Sequence, residues 1–169
     1  MQRNLVTVPS PKLRVLTREI TNIEDSHVSL VEDMTRLMYL HKGIGLAANQ
    51  VGESLSLIVI DIDYPLARGQ FKPRVFFNPR IISSYGSSHL VEGCLSVPGL
   101  RLGMVRPAEI VVKAQDLSGK EIEFEAKDML ARVVQHEIDH LLGHSLFDLL
   151  TKEQKFSYLN NLRKSKVSA

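Results

Sequence analysis

The sequence predicts an α+β fold for this chain of 169 residues. Short apolar segments typical of strands follow one another, and helical segments lie between and after them without regular alternation. Two amphipathic helical patterns and one clear hairpin support this prediction, which favours antiparallel strands over a parallel α/β sheet. The length suits a single compact domain, residues 1–169, with no room for a second domain of ordinary size.

Composition places the chain among ordinary globular proteins. Hydrophobic residues make up 44% and charged residues 24%, which excludes a disordered or collagen-like chain. The net charge of +2 is too small to suggest a nucleic-acid surface, and a single cysteine excludes an internal disulfide and fits a reducing compartment. No apolar run reaches the roughly 18 residues of a membrane helix, and the N-terminus lacks the apolar core of a signal peptide. We therefore expect a cytoplasmic protein with neither a membrane nor a sequence-specific nucleic-acid partner.

The first 40 residues predict an arm followed by a helix. Pro9 and Pro11 push their neighbours toward extended geometry, so residues 1–20 are expected to form an extended arm. From Asp25 to Leu40 apolar side chains recur at helical spacing, and two glycines follow that would end a helix. The expected role of this helix is core packing.

The middle of the chain supplies strand candidates. The segment from Leu55 to Asp61 is short, apolar and β-branched, as in a buried strand. Residues 62–73 contain two prolines and a glycine and predict a loop. Two further short strands, Val75–Phe77 and Ile81–Ile82, are expected on either side of Asn78-Pro79.

Residues 109–126 give the clearest hairpin. Apolar and polar residues alternate on both sides of a turn at Asp116–Gly119. Glu121, Glu123 and Glu125 resemble a row of ligands, but alternation predicts that they form the solvated face of a strand.

Two helices are predicted after this hairpin. The first runs from Asp128, a candidate N-cap, to Leu142, with Gly143 as its C-terminal stop. The second spans Thr151 to Lys164 and ends in a basic tail. Such a tail is usually a solvated helix face, and attraction to ribosomal RNA is the alternative.

The pattern His136-Glu137-Ile138-Asp139-His140 lies on the first of these helices. Residues i and i+4 project from one side of a helix, so both imidazoles can bind one metal ion. Glu137 can then reach a water on that metal and act as a general base. The alternative is two surface histidines, but Met129 and Val133 share their face, so the histidines continue an apolar stripe where polar groups need partners.

A metal held by two histidines needs at least a third protein ligand. The candidates are His144, Asp139, Asp148 and Cys94. Thiolate is a strong ligand for zinc and iron, although a lone cysteine is more often a small buried hydrophobe. Composition and spacing alone do not choose among the four.

Residues 43–50, GIGLAANQ, form a third notable segment. Small residues allow a backbone to approach a ligand closely. The segment is neither a P-loop nor a dinucleotide motif, because it has no Gly-Lys-Ser/Thr and does not follow a strand. Gln50 could be an amide at the edge of the core or a hydrogen-bond donor toward a substrate.

Three segments in order resemble the signature motifs of peptide deformylase in its bacterial form. They are Gly43–Gln50, Glu92–Ser96 and Gln135–Gly143, and the resemblance covers nearly the whole chain. It implies antiparallel strands packed around a central metal-binding helix, with an N-terminal and a C-terminal helix. One departure is that the Leu146-Phe147 pair follows Gly143 one place later than is usual in the family.

The resemblance also implies a function. The chain would hydrolyse formyl-Met-peptides to formate and Met-peptides, acting on newly synthesised polypeptides. Cys94, His136 and His140 would hold the metal, Fe²⁺ as a rule, with zinc, nickel or cobalt able to take the same site. Glu137 would be the catalytic glutamate.

The same resemblance assigns oxyanion stabilisation to the Gln50 side chain and the Leu95 N–H. From position, we expect Ile44, Met129 and Val133 to line the pocket for the methionine side chain. Gly45 and Gly93, together with Gly43, would form a tight site that admits a formyl group and excludes bulkier acyl groups.

The expected partners are formyl-methionyl nascent chains and, secondarily, the ribosome. Two rival hypotheses stay open. One is a thiol hydrolase with Cys94 as nucleophile. The other is a non-catalytic metal-binding or ribosome-associated protein that keeps the fold.

Overall fold

The computed structural model describes residues 3–64 and 71–167, and it confirms the α+β class. The helices are α1 (Asp25–Leu40), α2 (Asp128–Leu141) and α3 (Lys152–Val167). The strands are β1 (Gly45–Ala47), β2 (Leu57–Ile60), β3 (Arg74–Tyr85), β4 (Ser88–Cys94), β5 (Val97–Arg106), β6 (Glu109–Gln115) and β7 (Glu121–Lys127). Short 3₁₀ helices cover Pro11–Arg14, Ala48–Val51 and Leu146–Leu149.

The strands form two antiparallel sheets. The larger has the order β1-β2-β3-β6-β7, and the smaller is the β4–β5 hairpin. The larger sheet lies between α1 and α2, which explains the uninterrupted apolar run of β2. Leu57 and Val59 join the core under α1, whereas Ile58 and Ile60 join the core under α2. The prediction of a central helix packed among antiparallel strands is confirmed. No helix in the described ranges is long and apolar enough to cross a bilayer.

Helix α1 begins and ends at the predicted residues. Its buried side chains recur at helical spacing and include Leu30, Met34 and Met38. The Glu24 backbone N–H donates to Nδ1 of His27 (3.0 Å), which satisfies a donor at the start of the helix.

The prediction of two short strands around Asn78-Pro79 is wrong, because a single strand, β3, passes through this dipeptide. Asn78 adopts φ 51°, and the register with β6 shifts between Phe77 and Arg80. The Asn78 side chain accepts from the Ile20 N–H (2.8 Å) and donates to the Ile20 carbonyl (2.7 Å). A bulge stabilised in this way absorbs the proline, and the strand continues beyond it.

Residues 88–106 form the β4–β5 hairpin, which periodicity did not predict. The arm also differs from expectation, because a 3₁₀ turn interrupts its described part, residues 3–20. In the extended part of the arm, the Val6 N–H donates to the Gln50 carbonyl (2.7 Å) and the Val8 N–H donates to the Ser96 carbonyl (2.9 Å). Residues 65–70 of the predicted loop lie outside the described residues, and its described flanks, 62–64 and 71–73, contain no helix or strand.

The β6–β7 hairpin is confirmed, and Glu121, Glu123 and Glu125 are exposed as expected. The assignment of Asp128 as N-cap is wrong, since Lys127 occupies that position and Asp128 is the first helical residue.

Gly143 ends α2 as predicted. It adopts φ 80°, and its N–H donates to the His140 carbonyl (2.9 Å). A Cβ at this position would lie 2.8 Å from the Arg14 carbonyl oxygen, so the close approach of the arm also requires glycine. The displaced Leu146-Phe147 pair is nevertheless buried.

Candidate metal centre

Cys94, His136 and His140 lie together at the junction of α2 and the β4–β5 hairpin. One ligand atom from each side chain lies within 4.8 Å of the others, and within the described ranges no other such group of three is found. Cys94 Sγ lies 3.1 Å from His140 Nε2. The histidines are one turn apart on α2, as their spacing predicts, and Cys94 ends β4.

The donor set fits a divalent transition metal. Nδ1 of His136 lies 3.0 Å from Oε2 of Glu92. An ionised carboxylate can only accept, so Nδ1 carries the proton and Nε2 is left with a lone pair for a metal. His140 is almost fully buried, and its Nδ1 has no hydrogen-bond partner among the described residues. One thiolate and two imidazoles are a ligand set suited to zinc or iron.

The other candidates for third ligand have different surroundings. The Asp139 carboxylate accepts from Arg106 Nη1 (2.8 Å). Asp148 accepts from the backbone N–H and the hydroxyl of Ser145, both at 2.9 Å. His144 is exposed beyond the end of α2. The structure therefore brings only Cys94 of the four candidates to the two histidines.

Glu92 is the residue that sequence reasoning missed as part of this centre. Its carboxylate is buried and accepts from Arg106 Nε (2.6 Å), Arg106 Nη2 (3.0 Å) and Arg132 Nη1 (2.7 Å), besides contacting His136. Burial alone would raise the pKa of Glu92, but the hydrogen bonds from His136 and the two arginines outweigh it and hold that pKa well below its usual range. Glu92 belongs to the Glu92–Ser96 segment that carries the family resemblance, and this segment is the signal that could have identified it. No local sequence pattern marks Arg106 or Arg132.

The two histidines have different electrostatic surroundings. Burial tends to lower the pKa of His136, but hydrogen bonds with Cys94 and Glu92 outweigh it and raise the pKa to about 10. Only a neutral imidazole ligates a metal, so metal binding at Nε2 of His136 would release the second proton of this ring. Burial, followed by the charge of His136, lowers the pKa of His140 well below its ordinary value, which keeps this imidazole neutral and able to ligate.

Glu137 is buried beside the candidate metal ligands. Its Oε2 has no hydrogen-bond partner among the described residues. Burial raises the pKa of Glu137 to about 7. A carboxyl group with such a pKa can both take up and release a proton near neutral pH. A Cβ on Gly45 would collide with Glu137 Oε1 and with Val133, so glycine at 45 is what lets β1 approach this carboxyl.

Gln50 lies in the 3₁₀ helix that follows β1, and its amide orientation is fixed on both sides. Oε1 accepts from the Ala47 N–H (2.8 Å), and Nε2 donates to Ser96 Oγ (3.0 Å) and lies 3.7 Å from Cys94 Sγ. Leu95 follows Cys94 directly, and its half-buried side chain packs against the core under α1.

A cavity of about 540 Å³ opens beside this centre. It is lined by all five residues expected to contact substrate, namely Ile44, Gly45, Gly93, Met129 and Val133. Gln50, Cys94, His136 and Glu137 also line it. Met129 is 44% exposed, so the expected apolar stripe on α2 begins at an exposed residue, whereas Val133 is buried and His136 half-buried.

The fold and this site define a metallohydrolase of the His-Glu-x-x-His class, with a cysteine placed to serve as third ligand beside an open cavity. The family model for polypeptide deformylase matches residues 2–156. The chain belongs to the peptide deformylase family. It is an enzyme, a metal-dependent hydrolase that removes the N-formyl group from newly synthesised polypeptides.

Relatives and solved structures agree with this assignment. The peptide deformylase of Syntrophobacter fumaroxidans is 44% identical over 147 residues, which are 87% of this chain and 85% of that protein. The peptide deformylase structure from Legionella pneumophila superposes with a TM-score of 0.87 at 37% identity, covering 98% of this chain and 96% of that one. The Ehrlichia chaffeensis enzyme in complex with actinonin gives 0.87 at 35% identity, covering 96% of each chain.

Proposed function

We propose that Cys94, His136 and His140 hold an Fe²⁺ ion in this chain, and that the cavity beside them binds the formyl-methionyl end of a nascent polypeptide. The observation that carries the proposal is the convergence of one thiol and two imidazoles at a cavity that Glu137 also lines. When bound, a metal in such a site supplies Lewis-acid polarisation and lowers the pKa of water.

Glu137 is the general base in this proposal. It takes a proton from the attacking water and delivers it to the leaving amine, so that formate and a free methionyl amine are produced. Its burial and its pKa near 7 support both halves of this transfer.

Gln50 and the Leu95 N–H stabilise the negative charge that develops on the formyl oxygen. The fixed amide of Gln50 supports this role, because the Ala47 N–H and Ser96 turn its Nε2 toward the cysteine side of the site. A preorganised donor of this kind contributes about 3 kcal/mol to transition-state stabilisation.

Ile44, Met129 and Val133 contact the methionine side chain, while Gly45 and Gly93 keep the reacting end narrow. A formyl group carries hydrogen where a peptide carries a chain, so a narrow site selects it by size. The lining of one cavity by these five residues supports the assignment.

Such an enzyme works where translation takes place, so we propose a cytoplasmic location and the ribosome as a further partner. Lys152 and Arg163 are exposed on α3 and supply positive charge. Lys155 contributes less, because its Nζ donates to the Asp148 carbonyl (3.0 Å) and lies over the Phe147 ring.

Metal analysis with a formyl-Met-peptide assay on one anaerobic preparation tests the proposal as a whole. We expect about one Fe²⁺ per chain, loss of activity on chelation, and recovery on adding Fe²⁺ or Co²⁺. The 3.1 Å contact between Cys94 Sγ and His140 Nε2 makes a thiol hydrolase the rival. Full activity after complete chelation would favour that rival.

Glu137→Gln separates proton transfer from metal binding. The amide is nearly isosteric but cannot act as a base, so kcat should fall by about 100- to 10,000-fold. Metal content and thermal unfolding should match those of the unchanged chain. Turnover at the original rate would show that Glu137 is not the general base.

Met129→Lys tests the methionine pocket, with Met129→Leu as the matched control. A lysine at the cavity mouth places charge against an apolar side chain, so kcat/KM for formyl-Met peptides should fall by about tenfold or more. The leucine variant should stay within about threefold of the original. If the lysine variant keeps its kcat/KM, Met129 does not contact the methionine.

Removal of residues 163–169 tests the ribosome contact. If the basic end of α3 contributes to it, ribosome affinity should fall and should lose part of its salt dependence. Activity on short formyl-Met peptides should be unchanged, since none of the described residues that line the cavity lies in this segment. An unchanged affinity would rule out this end of α3 as the contact.

A further inference from the structure

Arg132 is a buried arginine on α2, one turn before His136, and only 4% of it is exposed. Its guanidinium donates from Nη1 to Glu92 Oε1 (2.7 Å) and to the Met104 carbonyl (3.1 Å). It also donates from Nη2 to the Ser88 carbonyl (2.6 Å). One side chain of α2 therefore contacts three separate points on another element.

All three acceptors belong to the β4–β5 hairpin. Ser88 begins β4, Glu92 lies two residues before Cys94 on the same strand, and Met104 lies on β5. Strand β4 pairs only with β5 within the described residues, so the larger sheet does not hold it. Two kinds of contact hold this hairpin in place. Its apolar residues pack against the arm and the Leu146–Leu149 turn, and Arg132 and the Arg106–Asp139 ion pair tie it directly to α2.

That position matters because the metal ligands are divided between the same two elements. Cys94 comes from the hairpin, whereas His136 and His140 come from α2. Metal coordination tolerates deviations of only about 0.2 Å in ligand distance. A displacement of the hairpin along α2 would move the thiol away from the imidazoles.

Arg132 also acts on His136 through Glu92. The Oε1 atom of Glu92 accepts from both Arg132 and Arg106, while Oε2 accepts from Arg106 and contacts Nδ1 of His136. Without Arg132, one of the donors that fix this carboxylate is lost, and the carboxylate orients the imidazole.

We propose that Arg132 is a positioning residue that fixes the β4–β5 hairpin against α2 and thereby holds Cys94 and His136 at the spacing one metal ion requires. The inference rests on the proposed function, in which these residues ligate the metal.

The direction in which removal of Arg132 changes metal binding distinguishes a positioning role from an electrostatic one. A guanidinium near a cation repels it, so removal of the positive charge alone would strengthen cation binding. If Arg132 positions the ligands, its removal has the opposite effect and weakens binding. Faster cation loss in a variant that lacks this charge therefore indicates positioning.

The experiment uses the full chain loaded with Co²⁺, and it measures the visible absorption spectrum and the rate of Co²⁺ loss to a chelator. For Arg132→Met we expect loss about 10- to 100-fold faster and an altered spectrum. The rate of Co²⁺ loss from Arg132→Lys should lie between those of the unchanged chain and Arg132→Met, because an ammonium cannot reproduce the planar fork that reaches all three acceptors.

Two further arginines serve as comparisons. Arg106→Met removes the other arginine on Glu92 and should also speed Co²⁺ loss. Arg101→Met removes an exposed arginine that lines the same cavity, and its rate should stay within about twofold of the original. An equal acceleration in Arg101→Met would overturn the proposal, because faster Co²⁺ loss would then not depend on the hydrogen bonds that Arg132 makes to the hairpin.

The outcomes separate this inference from the proposed function. If the unchanged chain does not bind one Co²⁺, the metal site itself is wrong. If it does, and Arg132→Met keeps a native circular dichroism spectrum but loses Co²⁺ at the original rate or more slowly, only the role of Arg132 is overturned. Should Arg132→Met not fold, Arg132→Lys carries the test, and a rate within about twofold of the original overturns the proposal.

Discussion

The structure depends on one buried carboxylate, that of Glu92, which connects the β4–β5 hairpin to α2. It accepts hydrogen bonds from two arginines and contacts the ring of His136. Burying an anion is costly unless it is paired and fully hydrogen-bonded, and these partners supply both conditions. The same contacts place a strand that the larger sheet does not hold against the helix that bears the His-Glu-x-x-His motif. The position of Cys94 relative to the two histidines therefore depends more on these charged contacts than on strand pairing within either sheet.

Elements with a strong local period could be predicted from the sequence. Helix α1 has the predicted bounds, α2 ends within one residue of its prediction, and β6–β7 follows alternation on both sides of its turn. In each case one face packs against the core and the other meets water, so the spacing of apolar residues along the chain predicts which face is buried. The histidine pair was predicted for the same reason, since a helix places i and i+4 together whatever the rest of the chain does.

The remaining features depend on contacts between distant residues. The β4–β5 hairpin was missed because β4 has little alternation, since three exposed residues in a row precede Glu92, its one buried residue. Strand β5 does alternate between half-buried and exposed residues from Leu100 to Val105. Asn78 and Pro79 suggested a break, but hydrogen bonds to Ile20, 58 residues away, convert it into a bulge. Arg106 and Arg132 contact Glu92 from 14 and 40 residues away, and no local pattern marks them. For Cys94, spacing left four candidates, and only the resemblance of three motifs chose among them.

The proposed division of the metal ligands between a hairpin and a helix would link metal supply to conformational stability. A ligand that binds the folded chain and not the unfolded one adds RT ln(1 + [L]/Kd) to the free energy of unfolding, about 2.7 kcal/mol at a hundredfold excess over Kd. Here that free energy acts on one contact, the docking of β4 and β5 on α2, because neither element holds the ion alone. If Cys94, His136 and His140 hold the metal as proposed, the concentration of free metal contributes to the stability of this contact, and the contact lies at the wall of the cavity beside them.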